Sequence, residues 1–457
     1  MINNTSKFNS LRHEFQKFIY EGFSYTLINN SLSIIFDFYV DNKIEFHPQI
    51  EFQIESYYHF EKIEKSNLEN LIFNIGMIEL ISYWKSMAPS KVIIKNYKLT
   101  DKQISFWKKI YFHGLGEYFY LNGILPNYDD FLNIYSVGHK NLRSFDVETD
   151  DSAIIPVGGG KDSIVTMELL KKFSKNNLAL ILNPRGASIF TAEVGGFTNR
   201  ILKINRTLDP KLLKLNAEGY LNGHTPFSAL LAFVAILAAA ATGKKYVALS
   251  NEGSANEPTI IGTKINHQYS KSIEFEKDFR EYIHENITSD IKYFSLLRPL
   301  SEFQIASIFA KNPKYFKSFK SCNVGSKTDS WCGKCPKCLF TFIILSPFLK
   351  PKVLEDIFGC NMLQDKSLEN YFEELTGISE VKPFECIGTV DEVNAALCLA
   401  KNSYKILPYL LQKHQNYFGN DYCQKINKNS LLAKISNEHF LEEKYLQILK
   451  SELNEKN

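Results

Sequence analysis

Two short stretches of the 457-residue chain combine residue types and spacings that could do chemistry. In the first, Gly158, Gly159 and Gly160 follow an apolar run, Ala153–Val157, and precede Lys161, Asp162 and Ser163 at the start of a predicted helix. Glycine lets the backbone approach an anion closely, and a helix N-terminus presents free N–H groups at the positive end of its dipole, so this loop is suited to phosphate. Spacing excludes two common phosphate loops. A Walker A loop needs G-x-x-x-x-G-K-[ST], but Ile155 stands at its first glycine and Asp162 at its hydroxyl position; G-x-G-x-x-G fails because Lys161, Asp162 and Ser163 follow the last glycine. The second stretch holds Cys322, Cys332, Cys335 and Cys338. Four thiolates at that spacing can enclose one tetrahedral ion in a closed structural site, and we read it as zinc. Gly333 and Lys334, between the ligands, suit a knuckle whose N–H groups point at thiolates. An iron–sulfur cluster is the alternative, because overlapping C-x-x-C-x-x-C with a remote cysteine also serves that chemistry.

These stretches need a scaffold, and the apolar pattern predicts one. LSIIFDFYV from Leu32 and IEFHPQIEFQIE from Ile44 read as strands. Leu68–Met87 places Leu71, Ile72, Ile75, Ile78 and Ile81 at helical spacing until Pro89 stops it, and Ile104–Leu121 reads as a second, aromatic-rich helix. Residues 1–145 are therefore expected to form an α+β N-terminal domain. From about residue 150 the order becomes strand, glycine loop, helix, strand: AIIPV, GGGKDS, IVTMELLKKFS, then LALILNP from Leu178, with KKYVALSNEG from Lys244 as a further strand. That order predicts an α/β, doubly wound parallel sheet over residues 146–345, with ligands at the carboxyl ends of its strands. Phe227–Thr242, FSALLAFVAILAAAAT, reads as a fully buried helix, shorter than the roughly 20 residues a bilayer requires. Residues 346–457 form an expected helical C-terminal region, ending in a charged helix from Ser430 to Lys450.

Composition narrows the function further. Lys plus Arg number 53 against 50 Asp plus Glu, a net charge of +3 with no basic arm, so neither nucleic acid nor an anionic membrane is an expected partner. The 35 Phe and 24 Tyr are read as core, since aromatics at helical spacing usually pack rather than stack on bases. The N-terminus, MINNTSKFNSLRHEF, lacks the apolar segment and cleavage site of a signal peptide, so a cytoplasmic location is expected. There the clustered cysteines suggest metal rather than disulfides, and Cys360, Cys386, Cys398 and Cys423 lie scattered.

Gly159, Gly160, Asp162 and Ser163, with Lys161 at the variable place, resemble the S-G-G-x-D-S signature of the PP-loop ATP pyrophosphatases; Gly158 stands where that signature has serine. The resemblance implies a PP-loop (adenine nucleotide α-hydrolase-like) fold and cleavage of ATP to AMP and pyrophosphate through an adenylated intermediate. A PP-loop paired with this cysteine spacing is also found in 7-cyano-7-deazaguanine synthases. Longer strings discriminate further: NRTLDPKLLKLNAEGYLNGHTPFSALLAF from Asn205, SNEGSANEPTIIGTKINHQYSKSIEFE from Ser250, SCNVGSKTDSWCGKCPKCLF from Ser321 and KPFECIG from Lys382. These resemble the UDP-N-acetyl-α-D-muramoyl-L-alanyl-L-glutamate epimerases, the MurL family, through about residue 400. That resemblance implies an ATP- and Mg²⁺-dependent isomerase that inverts the terminal L-glutamate of UDP-MurNAc-L-Ala-L-Glu in peptidoglycan precursor synthesis. The alternatives are a deazaguanine-synthase-like or tRNA-modifying PP-loop enzyme, and a nucleotide sensor that binds ATP without turnover. Weak net charge speaks against tRNA, chain length against the synthase, and intact Asp162 and Ser163 against the sensor.

On this resemblance Gly158, Gly159, Gly160, Lys161, Asp162 and Ser163 would hold ATP, with Asp162 helping to place Mg²⁺. Asn251, Glu252, Asn256, Asn266, His267, Gln268, Tyr269, Ser270 and Lys271 make a polar run expected to line the nucleotide or peptide site. Inversion at Cα requires a group that takes a proton and one that returns it to the other face, and His267, Lys271, Glu252 and Cys386 are the candidates. Arg185, in NPRGAS, could pair with a substrate carboxylate or phosphate; His224, in NGHTPFS, could cap the helix that follows or touch substrate. Oligomeric state is not readable from the chain.

Overall fold

The alternation along Leu32, Ile34, Phe36, Phe38 and Val40 buries all five side chains completely, which is what makes this segment one face of a packed sheet. The computed structural model describes residues 3–41, 43–260, 265–379, 381–419 and 421–454. It is a mixed α/β structure with a large, partly parallel sheet and a helical C-terminal region. Its strands are β1 Lys17–Ile28, β2 Ser31–Val40, β3 Ile44–Phe46, β4 Gln49–Phe52, β5 Lys91–Ile94, β6 Tyr97–Lys98, β7 Asn133–Ser136, β8 Lys140–Asn141, β9 Asp150–Pro156, β10 Leu178–Leu182, β11 Ile201–Thr207, β12 Lys244–Leu249 and β13 Lys292–Ser295. Packing groups the chain into two units. The first takes Met1–Ile154, Leu202–Val247 and Ile265–Tyr293; the second takes Ile155–Ile201, Ala248–Lys264 and Phe294–Asn457.

In the first unit the strand order β11-β4-β2-β1-β5-β7 is antiparallel from β11 to β1 and parallel from β1 to β7. The expected single strand from Ile44 is two, because Pro48 has no N–H to donate and interrupts the ladder between β3 and β4. Helix Lys65–Trp84 is buried on almost every face, and its interior polar groups are paired. Asn70 Nδ2 donates to the Asn286 carbonyl at 2.8 Å, Tyr282 Oη donates to Asn74 Oδ1 at 2.7 Å, and Arg206 binds Glu79 through two bonds of 2.8 and 3.0 Å. Phe227–Thr242 is the expected buried helix, closed by Gly243 at φ 64°. The reading of Ile104–Leu121 as one helix is corrected to two, Asp101–Gly114 and Gly116–Leu121, with Leu115 between them.

Gly76 shows how tightly the helix sits on the sheet. A Cβ there would overlap the Tyr20 hydroxyl and lie 2.8 Å from Phe36 Cδ1. Gly76→Ala is therefore expected to destabilise the protein by about 2–3 kcal/mol, read as a lower denaturant midpoint at unchanged slope.

In the second unit, Val157 donates to the Leu180 carbonyl at 2.8 Å and Leu296 to that of Leu249 at 2.8 Å, so strand ends pair as their apolar runs suggest. Helix Pro336–Leu345 is the apolar centre of the C-terminal helices, with Phe340, Phe342, Ile343, Ile344 and Leu345 buried. The expected terminal helix from Ser430 is interrupted: Lys428–Ala433 and Glu443–Asn454 are separate helices. Cys398 and Cys423, scattered in the sequence, form a disulfide that the sequence reading does not anticipate. Among the described residues no helix is long and apolar enough to cross a membrane.

Candidate functional site

In the second unit the chain turns through Gly158–Gly160 and enters helix Lys161–Leu170. Gly159 has φ 87°, and a Cβ on it would lie 3.0 Å from both Ala187 C and Ser188 N, so conformation and close approach both demand glycine. Gly158 is different: a Cβ there would meet nothing within 4 Å, so this glycine leaves open space above the loop. No side chain caps the helix N-terminus; the Ser163 hydroxyl donates instead to the Gly160 carbonyl at 2.9 Å.

Lys161, expected at the phosphates, points inward and is 5% exposed. Its ammonium pairs with Asp162 at 2.5 Å and with Glu302, which opens helix Glu302–Ala310 and is itself 2% exposed. Burial works against the charge of Lys161, yet the carboxylates of Asp162 and Glu302 hold its pKa above the ordinary lysine value. Burial pushes the Glu302 carboxyl up, Lys161 opposes that rise, and the charges of Asp162 and Glu252 add to it. Asp162 and Glu302 thus share one buried ammonium, with Glu252 near enough to act on Glu302. Glu302 was invisible in the sequence because it stands at an ordinary capping-box helix start, far along the chain from the loop. Glu252 is held by its neighbours: the Ser254 hydroxyl donates to its carboxylate at 3.0 Å and Arg298 donates to its carbonyl at 2.7 Å. Asn251 Nδ2 donates to Ser295 Oγ at 3.0 Å.

The four cysteines come together as their spacing predicts, with all four Sγ atoms within 4.8 Å of one another. Cys322–Cys335, Cys332–Cys338 and Cys335–Cys338 are separated by 3.8, 3.7 and 3.4 Å. A tetrahedral ion with metal–sulfur bonds of about 2.3 Å spaces its thiolates roughly 3.8 Å apart, so the set fits a single ion. An iron–sulfur cube, whose irons stand between the thiolates, would hold them farther apart. Backbone N–H groups of Gly325 and Lys334 point at Cys322 Sγ and Cys332 Sγ, at 3.1 and 3.4 Å.

This knot is tied directly to the glycine loop. Lys320 N–H donates to the Gly159 carbonyl at 2.9 Å, and Asp329 Oδ1 accepts from Ala187 N–H at 2.9 Å at the start of helix Gly186–Val194. Arg185 is exposed at that same helix start. Lys337, between Cys335 and Cys338, donates to the carbonyl of the half-buried Cys386, and Asn323 Nδ2 donates to Glu385 at 2.6 Å. The knot therefore braces the loop, the Arg185 helix and the Cys386 segment.

The polar run after Lys244 divides between the units: Asn251, Glu252 and Asn256 belong to the second, Asn266–Lys271 to the first. Four residues of the intervening string, 261–264, lie outside the described residues. In the first unit His267 Nδ1 lies 2.5 Å from Glu117 Oε2, and His224 Nδ1 lies 3.7 Å from the same oxygen. The two imidazole rings stand 4.4 Å apart. His224 does not cap the helix after it, whose N-cap is Pro226 without a side-chain bond. Burial, reinforced by the neighbouring His267, lowers the His224 pKa to about 4. Lys85, buried and bonded to the Gly223 carbonyl at 2.6 Å, is lowered to about 8, chiefly by burial and then by Arg206. Gln268 is 7% exposed and its Oε1 has no hydrogen-bond partner among the described residues. Sequence reasoning found His224, His267 and Lys271 but missed Glu117 and Lys85, which sit in aromatic-rich helical segments read as core.

Comparison with known proteins places both units in one family. The MurL N-terminal domain matches residues 9–296 and the MurL C-terminal domain residues 317–416. The chain is 34% identical over 333 residues to a UDP-N-acetyl-alpha-D-muramoyl-L-alanyl-L-glutamate epimerase of Xanthomonas oryzae pv. oryzae, covering 71% of this chain and 73% of that protein. It is 35% identical over 326 residues to one from a Micromonospora species, covering 70% and 72%, and 36% identical over 334 residues to one from Salinispora tropica, covering 71% and 72%. With both family domains matched and relatives this similar over most of their length, the chain belongs to the MurL family of UDP-N-acetyl-α-D-muramoyl-L-alanyl-L-glutamate epimerases.

Proposed function

We propose that this protein is an ATP-dependent isomerase that inverts the terminal L-glutamate of UDP-MurNAc-L-Ala-L-Glu, supplying D-glutamate to the peptidoglycan precursor. Family membership carries this reading. The chemistry explains the need for ATP. A proton on the carbon beside an ionised carboxylate is hardly acidic, because its removal would create a dianion. Attack of that carboxylate on the α-phosphorus of ATP releases pyrophosphate and leaves an acyl adenylate, whose neutral carbonyl accepts the electron pair left at Cα. Reprotonation on the opposite face and hydrolysis then yield the inverted product and AMP.

On this reading the second unit is a PP-loop nucleotide domain. Gly158–Gly160 and Ser163 would cradle the phosphates, with Asn251 and Glu252 nearby on the same unit, and Lys161 would set the charge balance beneath them. Asp162, with the buried carboxylates of Glu252 and Glu302 behind it, would hold Mg²⁺, which neutralises phosphate charge. Cys322, Cys332, Cys335 and Cys338 would hold a structural Zn²⁺. Lys271 and Cys386 are proposed to act on the substrate. ATP and a nucleotide-linked substrate place the reaction in the cytoplasm.

The test is incubation with UDP-MurNAc-L-Ala-L-Glu, ATP and Mg²⁺ in D₂O, following AMP by chromatography and the glutamate α-position by mass and chiral analysis. The expected result is AMP release with deuterium at an inverted Cα. ATP binding without either product would sink the reading and move the activity to another acceptor.

A further inference from the structure

Cys398, His414 and Cys423 bring one ligating atom each within 4.8 Å of one another. All three lie in the second unit, and neither the nucleotide loop nor the cysteine knot uses them. Cys398 is on helix Val390–Ala400, His414 on helix Tyr409–Phe418 and Cys423 in the turn Tyr422–Lys425. Cys423 stands beyond residues 317–416, the extent of the family's C-terminal domain, so the family match assigns it no role.

The His414 imidazole is completely buried, against the rings of Phe418 and Tyr422. A chain of bonds places its hydrogen. Asn394 Nδ2 donates to the Thr376 carbonyl at 3.0 Å, which turns Asn394 Oδ1 toward His414 Nε2 at 3.2 Å. An amide oxygen only accepts, so Nε2 carries the hydrogen and the lone pair of the neutral ring lies on Nδ1. Nδ1 has no hydrogen-bond partner among the described residues. A second hydrogen there would bury an unpaired charge; burial, with the Lys401 charge second, lowers the His414 pKa to about 4. A buried imidazole with an unused lone pair beside two sulfurs is a ligand set for a thiophilic cation.

We propose that Cys398, Cys423 and His414 form a zinc site that exists only when the Cys398–Cys423 bond is reduced. As a disulfide the sulfurs have no charge to offer an ion. As thiolates, with the imidazole, they supply three ligands of a tetrahedral zinc and solvent supplies the fourth. Cys398 is 6% exposed while Cys423 is half-buried, so a dithiol reductant reaches Cys423 first. The reductant's thiolate attacks Cys423 Sγ, the S–S bond breaks and Cys398 leaves as a thiolate. The reductant's second thiol then displaces Cys423 and closes the reductant's own disulfide, so two electrons pass to the protein. Lys401, whose ammonium donates to Cys423 Sγ at 3.4 Å, stabilises that leaving thiolate. Zn²⁺ takes the two thiolates and Nδ1, and any protons still on sulfur go to solvent.

The test counts zinc in the full chain. One sample is kept oxidised; another is reduced with dithiothreitol, which is removed without air, and both are equilibrated with Zn²⁺ and freed of excess ion. Elemental analysis is expected to find one more zinc per chain in the reduced sample. The extra equivalent should be missing from Cys423→Ser and from His414→Phe, which keeps a packed ring and both thiols. Equal zinc in oxidised and reduced wild type overturns the proposal. So does an extra equivalent that survives in Cys423→Ser, since that ion would sit elsewhere, and one that survives in His414→Phe takes the imidazole out of the site and overturns the three-ligand assignment. Where the His414 variant fails to fold, the wild type supplies the reading: in the reduced protein, Zn²⁺ at about ten times its Kd should slow alkylation of Cys423 about tenfold, mapped by mass spectrometry. An unchanged alkylation rate overturns the proposal as well. None of these readouts uses the epimerase reaction, so failure here and failure of the epimerase reading are distinguishable.

Discussion

Lys161→Met is expected to slow AMP formation by about 10²-fold, because the ammonium that holds Asp162 and Glu302 beneath the glycine loop is lost and misplacing a positioning group costs about that much. The same change should also destabilise the second unit, because Glu302, 2% exposed, loses the ammonium that balances it. Stripping one partner from a buried pair costs about 3–5 kcal/mol when the other stays charged. Here the cost should fall toward the lower end, since burial already pushes Glu302 toward its neutral form. The two effects can be separated. Lys161→Met with Glu302→Gln removes both charges from the interior and is expected to regain most of the lost stability in a urea titration. It should not regain AMP formation. If the double variant recovers both, Lys161 acts only through the fold; if it recovers neither, another group sets the charge balance there.

Removing the ion from the cysteine knot should have an effect as large. Purified protein is expected to hold one zinc per chain, measured by elemental analysis, and Cys338→Ser to hold none. Structural zinc sites of this type are worth about 10–16 kcal/mol of apparent binding free energy in small domains, so a loss of ion is a loss of local structure. Four thiolates within 4.8 Å of one another repel, and a shared cation would neutralise them. The consequence should appear at the nucleotide, because Lys320 holds the Gly159 carbonyl and Asp329 holds the Ala187 N–H. Cys338→Ser, or treatment of the wild type with a strong chelator, is therefore expected to weaken ATP binding by at least about tenfold, or roughly 1.4 kcal/mol. Proteolysis should open the segment between Cys322 and Cys338 first. Iron and acid-labile sulfide in the purified protein, with visible absorbance lost on chelation, would overturn the zinc reading. An unchanged ATP affinity after removal of the ion would overturn the brace.

The sequence by itself determined what depends on neighbours along the chain. The alternation in Leu32–Val40 fixes a strand with one buried face, the continuous apolar run Phe227–Thr242 fixes a helix buried all round, and the glycines at 158–160 between strand and helix announce a loop of special backbone. Cysteine spacing likewise announced a shared ion, because three of the four ligands lie within seven residues and the geometry of that turn is local. Where local pattern misled, a backbone constraint too small for periodicity to register was responsible: Pro48 divides a strand whose side chains still alternate, and Leu115, between Gly114 and Gly116, separates two helices that both carry aromatic residues. What only the tertiary structure decided was pairing over long separations. Glu302 joins Lys161 across 141 positions, and Glu117 joins His267 across 150. Neither carboxylate carries a local signal, since a lone acid at a helix start reads as a cap or a solvated side chain. Its role appears only when the fold removes it from water and places a cation or an imidazole against it, since burial and proximity, not residue type, shift the charge balance of such groups.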